Sequence, residues 1–214
     1  KFESYNFGVG GYNTAQELYA LKNIVLRTLP DAVVVKYDVS EAESSLYRVD
    51  DTTQEIARSP RWYEEPGNIL EPLPPDKFIY KFRLPKLVWQ FFKNQKQNKL
   101  MVAYYKSIFK EKNPGWQESR SALLEIIKLC GNNNISCYVI FFPTLYRLND
   151  EYPFKHIHEL VRKELRGENA VFIDLFPALK NRNPAALWIH PADHHPNEIV
   201  NRIAAEEIVK LLKN

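Results

Sequence analysis

The chain has 214 residues, of which 45% are hydrophobic, and its formal net charge is +3. This length suits one domain with a core large enough to fold without disulfides or metals. The small net charge gives no reason to expect nucleic-acid binding, and no apolar run reaches the roughly 18 residues of a membrane span. Cys130 and Cys137 lack the spacing of a metal site and fall on different predicted elements, so we expect two small buried hydrophobic residues.

The first part of the chain has the pattern of a strand, a glycine-rich turn, a helix and a second strand. Residues 4–7 are predicted to end a core strand, and the glycine turn covers 8–11. A helix is expected over 14–29, with Thr14 as its N-cap. The run at 32–35 is mostly β-branched, which is typical of a strand buried on both faces of a parallel sheet.

Residues 41–114 interrupt this alternation with many prolines and aromatic residues. We expect an insertion with a helix near 87–96, which is either a lid at the carboxyl edge of the sheet or a variable surface insertion. The alternation then resumes with helices over 117–130, 156–165 and 196–213, strands over 135–142 and 170–173, and a helical turn over 176–181. The sequence therefore predicts a single α/β domain over 1–214, a three-layer α/β/α sandwich with a parallel sheet.

The segment 189–197, IHPADHHPN, combines an acidic residue with histidines just before the last predicted helix. A carboxylate that holds one imidazole nitrogen leaves the other free to act as a base near neutral pH. Asp193 and His195 have the residue types for this pair, provided that the backbone turns back between them. The alternative is an ordinary helix-entry loop in which Asp193 caps backbone N–H groups.

Three weaker patterns accompany this segment. The glycine turn at 6–11 exposes backbone N–H groups that can receive an oxyanion, or it is only a tight turn that needs small residues. The polar residues 37–41 follow a predicted strand, where open α/β sheets bind ligands, or they form an ordinary turn. His190 and His194 are candidate metal ligands, but the neighbouring prolines disfavour the helix on which the HxxxH pair of a zinc site lies.

Taken in order, these motifs resemble the SGNH/GDSL hydrolase family. The series runs through NFGVGGYNTAQEL at 6–18, PDAVVVKY at 30–37, VIFFP at 139–143 and DHHPN at 193–197. The likeness covers most of the chain apart from about 41–114. It implies a flavodoxin-like α/β fold and ester hydrolysis through a Ser-His-Asp triad, with no cofactor.

The resemblance implies roles for four residues of this sequence. His195 would be the general base and Asp193 its orienting carboxylate, while Gly11 and Ser40 would line the oxyanion hole. The sequence departs from the family pattern in three ways. It contains no Gly-Asp-Ser, so the nucleophile is expected upstream of this chain; Ser40-Glu41 stands where the family has Asn-Asp; and Ala192 occupies the usual aspartate position, three residues before the histidine.

The resulting expectation is a serine ester hydrolase that acts on a small-molecule or carbohydrate ester. The alternative is a non-catalytic binding member of the same fold, which the missing Gly-Asp-Ser and Ser40 both favour. A metal-dependent hydrolase at His190 and His194 is a third hypothesis. The acyl and alcohol groups, the compartment and the oligomeric state are left open by the sequence.

Overall fold

The computed structural model describes residues 3–43, 47–49, 56–58, 83–191 and 193–212. Within these residues the helices are α1 (Thr14–Asn23), α2 (Arg83–Ile108), α3 (Pro114–Asn132), α4 (Lys155–Glu164), α5 (Phe176–Leu179) and α6 (Glu198–Leu212). The strands are β1 (Ala32–Tyr37), β2 (Tyr47–Val49), β3 (Ile56–Arg58), β4 (Ser136–Phe141), β5 (Val171–Asp174), β6 (Trp188–His190) and β7 (Asp193–Pro196).

A parallel sheet with the strand order β1-β4-β5 lies at the centre of the described fold. Tyr37 pairs with Phe141, and Phe141 pairs with Asp174, so the three strands end together at one edge. The prediction of a mixed α/β chain with a parallel sheet is confirmed. Because the carboxyl ends share that edge, the residues that follow β1 and β4 are brought close together.

The core is built around β4 and the apolar face of α3. Val139, Ile140 and Phe141 of β4 are at most 1% exposed, and Ile126 and Ile127 of α3 are 1% exposed. Burying one such side chain stabilises a fold by roughly 1.5–3 kcal/mol. This central packing fixes the sheet edge on which the candidate site is built.

The prediction of a strand at 4–7 is wrong: these residues are irregular and mostly exposed. No described strand pairs with them, and the Gly8 N–H instead donates to Asn6 Oδ1 at 2.9 Å. The N-cap of α1 is Asn13, not Thr14, because Asn13 has an extended backbone and its side chain accepts the Gln16 N–H at 3.2 Å. The helix ends at Asn23, earlier than expected, and a 3₁₀ turn (Val25–Thr28) follows.

The expectation that β1 is buried on both faces is also wrong among the described residues. Val35 and Tyr37 are buried at 6% and 0% exposure, but Val34 is 44% exposed. The alternation shows that one face of β1 packs on the core and the other borders an open cavity.

The insertion is described only in part. It contains α2, which is longer than the helix expected over 87–96, and the antiparallel pair β2–β3. The lid hypothesis falls largely on residues 44–46, 50–55 and 59–82, which lie outside the described residues. Within the described chain no helix combines the length and apolarity that a membrane crossing needs.

Candidate functional site

The segment at 189–197 was expected to be a loop before the last helix, but its residues 188–190 and 193–196 form a β-hairpin. In it β6 and β7 pair antiparallel, with Trp188 opposite Pro196 and His190 opposite Asp193. The last helix therefore begins at Glu198 rather than at Pro196. Alternate residues of a strand lie on the same face, so β7 brings the side chains of Asp193 and His195 together without any reversal of the backbone.

The side chains of Asp193 and His195 are hydrogen-bonded. His195 Nδ1 lies 2.5 Å from Asp193 Oδ1, and the same oxygen accepts the His195 backbone N–H at 3.1 Å. The hydrogen bonds from His195 hold the pKa of Asp193 below its ordinary value. Because an ionised carboxylate only accepts, Nδ1 carries the proton and Nε2 is left as the basic nitrogen. The imidazole is 82% exposed and open to a reacting group.

Neighbouring residues fix the position of this hairpin. The indole of Trp188 stacks on the ring of His194, and Trp188 Nε1 donates to the Leu145 carbonyl at 3.0 Å. Asn197 fixes the other end of the hairpin. Its backbone N–H donates to the Leu187 carbonyl at 2.9 Å, and its Oδ1 caps α6 by accepting the Ile199 N–H at 3.0 Å. The hairpin is thus joined both to α6 and to the segment that follows β4.

The glycine turn presents a backbone donor near the sheet edge. The Tyr12 N–H donates to Val9 at 3.1 Å, and Gly11 has φ 87°, a conformation that favours glycine. Gly11 is exposed, and among the described residues nothing accepts its N–H. This donor is therefore free to bind a ligand oxygen, as the oxyanion-hole prediction requires.

Ser40 follows β1 at the same edge, but its hydroxyl already has an acceptor. Ser40 Oγ donates to Asp38 Oδ1 at 2.6 Å, and its backbone N–H donates to the same oxygen at 2.7 Å. Asp38 is also paired with Lys36. Burial raises the pKa of Asp38, but the charge of Lys36 and the hydrogen bonds from Lys36 and Ser40 together outweigh burial and hold this pKa below its ordinary value. Donation from Ser40 to a substrate would first have to break the bond to Asp38.

Two glutamates beside this pair are poorly solvated, which local sequence patterns did not indicate. Burial raises the pKa of Glu17 to about 7 and raises that of Glu41 well above its ordinary value. Glu41 accepts a hydrogen bond from the Thr14 hydroxyl at 2.9 Å, and Thr14 in turn contacts Ser119 at 3.2 Å. The network joins α1 and α3 to the residues after β1.

These groups border one open cavity of about 2460 Å³. All four residues predicted for the site border it: Gly11, Ser40, Asp193 and His195. It also has walls from the exposed face of β1 and from the loop after β4. The imidazole of His195, the exposed backbone N–H of Gly11 and several carboxyl groups thus border the same cavity.

A second histidine–aspartate pair escaped the sequence reasoning. His158 of α4 donates from Nδ1 to Asp174 Oδ1 at 2.9 Å, and its Nε2 lies 3.1 Å from the Tyr152 hydroxyl. His158 is 2% exposed, so no substrate can reach its ring. We assign this pair a structural role. Its only sequence signal was an aspartate at the end of β5, since the partners are distant in the chain.

The described residues contain no group of three or more histidine, cysteine, aspartate or glutamate side chains placed to hold a metal ion. His194 is engaged by Trp188 and lies 3.2 Å from the Pro191 carbonyl through Nε2. No model of a known protein family matches the chain, and neither a curated protein nor a solved structure gives a significant match. The site must therefore be interpreted from its own geometry.

Proposed function

We propose that this chain belongs to a serine ester hydrolase with a flavodoxin-like three-layer fold of the SGNH/GDSL kind. The observation that carries the proposal is the contact between Asp193 and His195 on β7, beside the cavity that Gly11 also borders. An oriented imidazole with a free backbone donor across a cavity is the arrangement that acyl transfer uses. The proposal places the nucleophile in a Gly-Asp-Ser segment upstream of Lys1.

The size of the cavity supports this assignment. Sites for small molecules typically measure roughly 300–1,000 Å³, whereas this cavity measures about 2460 Å³. It therefore has room for a large ester together with the groups that act on it. The apolar side chain of Val34, 44% exposed on β1, forms part of its wall.

The proposed reaction follows from the positions of these groups. The serine oxygen attacks the ester carbonyl carbon while His195 Nε2 takes its proton, and Asp193 stabilises the resulting imidazolium. The Gly11 N–H donates to the oxyanion. His195 then returns the proton to the departing alcohol, and a water molecule, activated by the same nitrogen, hydrolyses the acyl-enzyme.

A fluorophosphonate probe, which reacts covalently with activated serines, tests this proposal. The protein is expressed with the residues that its gene encodes upstream of Lys1, labelled, and digested for mass spectrometry. We expect one labelled serine within an upstream Gly-Asp-Ser, and loss of labelling in His195→Ala. His156→Ala, which removes an exposed histidine outside the cavity wall, is the matched control and should label normally. Equal labelling of all three proteins, or none, would contradict the proposal.

The second candidate is a binding protein that uses the same cavity without chemistry. The bond from Ser40 to Asp38 favours it, because a donor already engaged contributes little to an oxyanion hole. Losing one such donor typically costs about 10²–10³ in rate. Under this alternative the upstream segment lacks a reactive serine, and the wild-type protein gives no fluorophosphonate adduct.

A further inference from the structure

The loop after β4 carries two solvent-accessible residues between two buried ones. Leu145 and Leu148 are buried, and between them Tyr146 and Arg147 border the cavity that His195 also borders. Arg147 has φ 48°, a left-handed conformation that residues other than glycine rarely adopt. Such a conformation persists only where the surrounding structure imposes it.

Hydrogen bonds hold this loop against the segment that leads to the hairpin. The Leu145 carbonyl accepts from Trp188 Nε1 at 3.0 Å, and the Leu148 carbonyl accepts the Asn181 N–H at 2.5 Å. Arg147 lies between these two carbonyls, so the loop is fixed on both sides of it. Its position relative to the hairpin that carries the proposed base is therefore set by the backbone.

The guanidinium of Arg147 has N–H donors available for a ligand. Its charged contact is Glu151, whose Oε2 lies 3.8 Å from Nη1, beyond hydrogen-bonding distance. The two side chains are 48% and 74% exposed, so this ion pair contributes little. The ring of Tyr146, with its centroid 5.4 Å from Arg147 Cζ, supports the guanidinium without using its N–H groups.

We propose that Arg147 binds a carboxylate of the substrate, so that the ester taken by this site is an acidic one. The inference rests on the proposed function. A guanidinium presents its N–H groups in a planar fork that matches the two oxygens of a carboxylate. Lys36, the other permanent cation on the described part of the cavity wall, is already paired with Asp38. An acidic group that enters the cavity therefore finds its counter-charge at Arg147.

Several carboxyl groups on the cavity wall oppose an acidic substrate only weakly. Asp38 is paired as described, and Asp193 is hydrogen-bonded to His195. Burial raises the pKa of Glu17 to about 7 and that of Glu41 well above its ordinary value, so both groups carry less negative charge at neutral pH. These four groups therefore repel an anion less than four exposed carboxylates would.

Amide analogues test this binding without hydrolysis. The acidic ligands are N-succinyl-p-nitroanilide, with its carboxylate on the acyl side, and 4-acetamidobenzoate, with its carboxylate on the other side. N-butyryl-p-nitroanilide and acetanilide are their neutral partners. Calorimetric titration of the protein expressed with its upstream residues measures the four affinities.

We expect Arg147→Gln to lower the ratio of acidic to neutral affinity by at least about 10-fold for one of the two pairs. Arg147→Lys should recover part of this loss. Arg166→Ala, which removes an exposed arginine outside the cavity wall, is the matched control and should bind as wild type does. Equal ratios in wild type and Arg147→Gln, or no binding of either acidic ligand to wild type, would overturn the inference.

Turnover of the matching esters separates this inference from the proposed function. For the ester of the responding ligand, Arg147→Gln should raise KM by at least about 10-fold relative to the neutral ester, with little change in kcat. Hydrolysis that needs His195 but shows no such change in Arg147→Gln would overturn the inference and leave the hydrolase in place. Acid binding that depends on Arg147, in a protein that hydrolyses none of the esters, would support this site and contradict the proposed function.

Discussion

The indole of Trp188 lies nearly flat against the imidazole of His194, with ring centroids 3.9 Å apart and an interplanar angle of 18°. Trp188 also donates from Nε1 to the carbonyl of Leu145, which lies in the loop after β4. One side chain therefore joins the hairpin to the sheet edge. His195, next to His194 in the hairpin, therefore owes its place beside the cavity in part to Trp188.

Replacing Trp188 should loosen the hairpin in graded steps. Trp188→Phe keeps an aromatic ring but loses the hydrogen bond, and should lower the free energy of unfolding by about 1 kcal/mol. Trp188→Leu loses the stack as well and should cost about 2 kcal/mol. Urea unfolding measures both. Tyr19→Leu, which removes a ring that is 68% exposed outside the cavity wall, is the control. Unchanged stability in both Trp188 variants would remove the residue from its positioning role.

The buried pair of His158 and Asp174 should matter for stability at neutral pH. Asp174 Oδ1 accepts from His158 and from the Phe176 N–H at 2.9 Å, and Oδ2 accepts from Arg162 at 3.1 Å. Because Asn cannot accept all these bonds, Asp174→Asn should lower the free energy of unfolding by about 2 kcal/mol. Asp150→Asn removes a carboxylate from an exposed ion pair and should change little.

The cost of Asp174→Asn should depend on pH. Burial favours the neutral carboxyl, but the hydrogen bond from His158 and the surrounding charges outweigh it, so the pKa of Asp174 lies below its ordinary value of 3.8. A carboxyl with a lowered pKa stabilises the fold above the unfolded value and loses this effect as pH falls through the folded value. The gap between wild type and Asp174→Asn should therefore narrow below about pH 4. A gap that stays constant down to pH 3 would contradict this.

The contribution of Glu17 to stability should depend on pH in the opposite direction. Burial raises its pKa to about 7 from 4.5, with Asp38 acting in the same direction and Lys36 against it. Because the folded state holds this proton more tightly, stability falls as pH rises from 4.5 to about 7. The full effect is about 1–3 kcal/mol after allowing for partial exposure. Glu17→Gln should remove this pH dependence. The stability of the variant relative to wild type should therefore be higher at pH 8 than at pH 5. Parallel pH profiles for the two proteins would refute the assignment.

A close backbone approach at the start of α3 supports the residues that follow β1. A methyl group added at Gly115 would lie 2.1 Å from the Ala42 carbonyl oxygen, whereas one added at Gly10 would meet nothing within 4 Å. Gly115→Ala should therefore cost at least about 2 kcal/mol, because backbone must move. Gly10→Ala, the matched control, should be tolerated. Chemical denaturation of both proteins measures the difference, and equal stabilities would contradict the packing described here.

The sequence predicted the parts of the fold that local periodicity determines. Strand β4 and helices α3 and α4 were confirmed within a few residues, because continuous apolar runs and helical spacing mark them. The pairing of Asp193 with His195 was also anticipated from residue type. Its true basis was missed, since we expected a loop with the last helix starting at Pro196, whereas Pro196 ends strand β7 of a hairpin.

Features that depend on distant contacts were not predictable from one sequence. Thr14 was chosen as the N-cap on local rules, but its hydroxyl binds Glu41, far along the chain. His158 seemed to be an ordinary helical residue until the fold placed Asp174 beside it. In each case tertiary structure sets the environment that gives the residue its chemistry.

The central claim is that His195, oriented by Asp193, acts as a general base. The most direct test is the hydrolysis of p-nitrophenyl acetate by the protein expressed with its upstream residues. We expect kcat/KM to fall by at least about 10²-fold in His195→Ala, by a similar factor in Asp193→Asn, and not at all in His156→Ala. Equal rates in wild type and His195→Ala would remove this imidazole from the reaction and contradict the account.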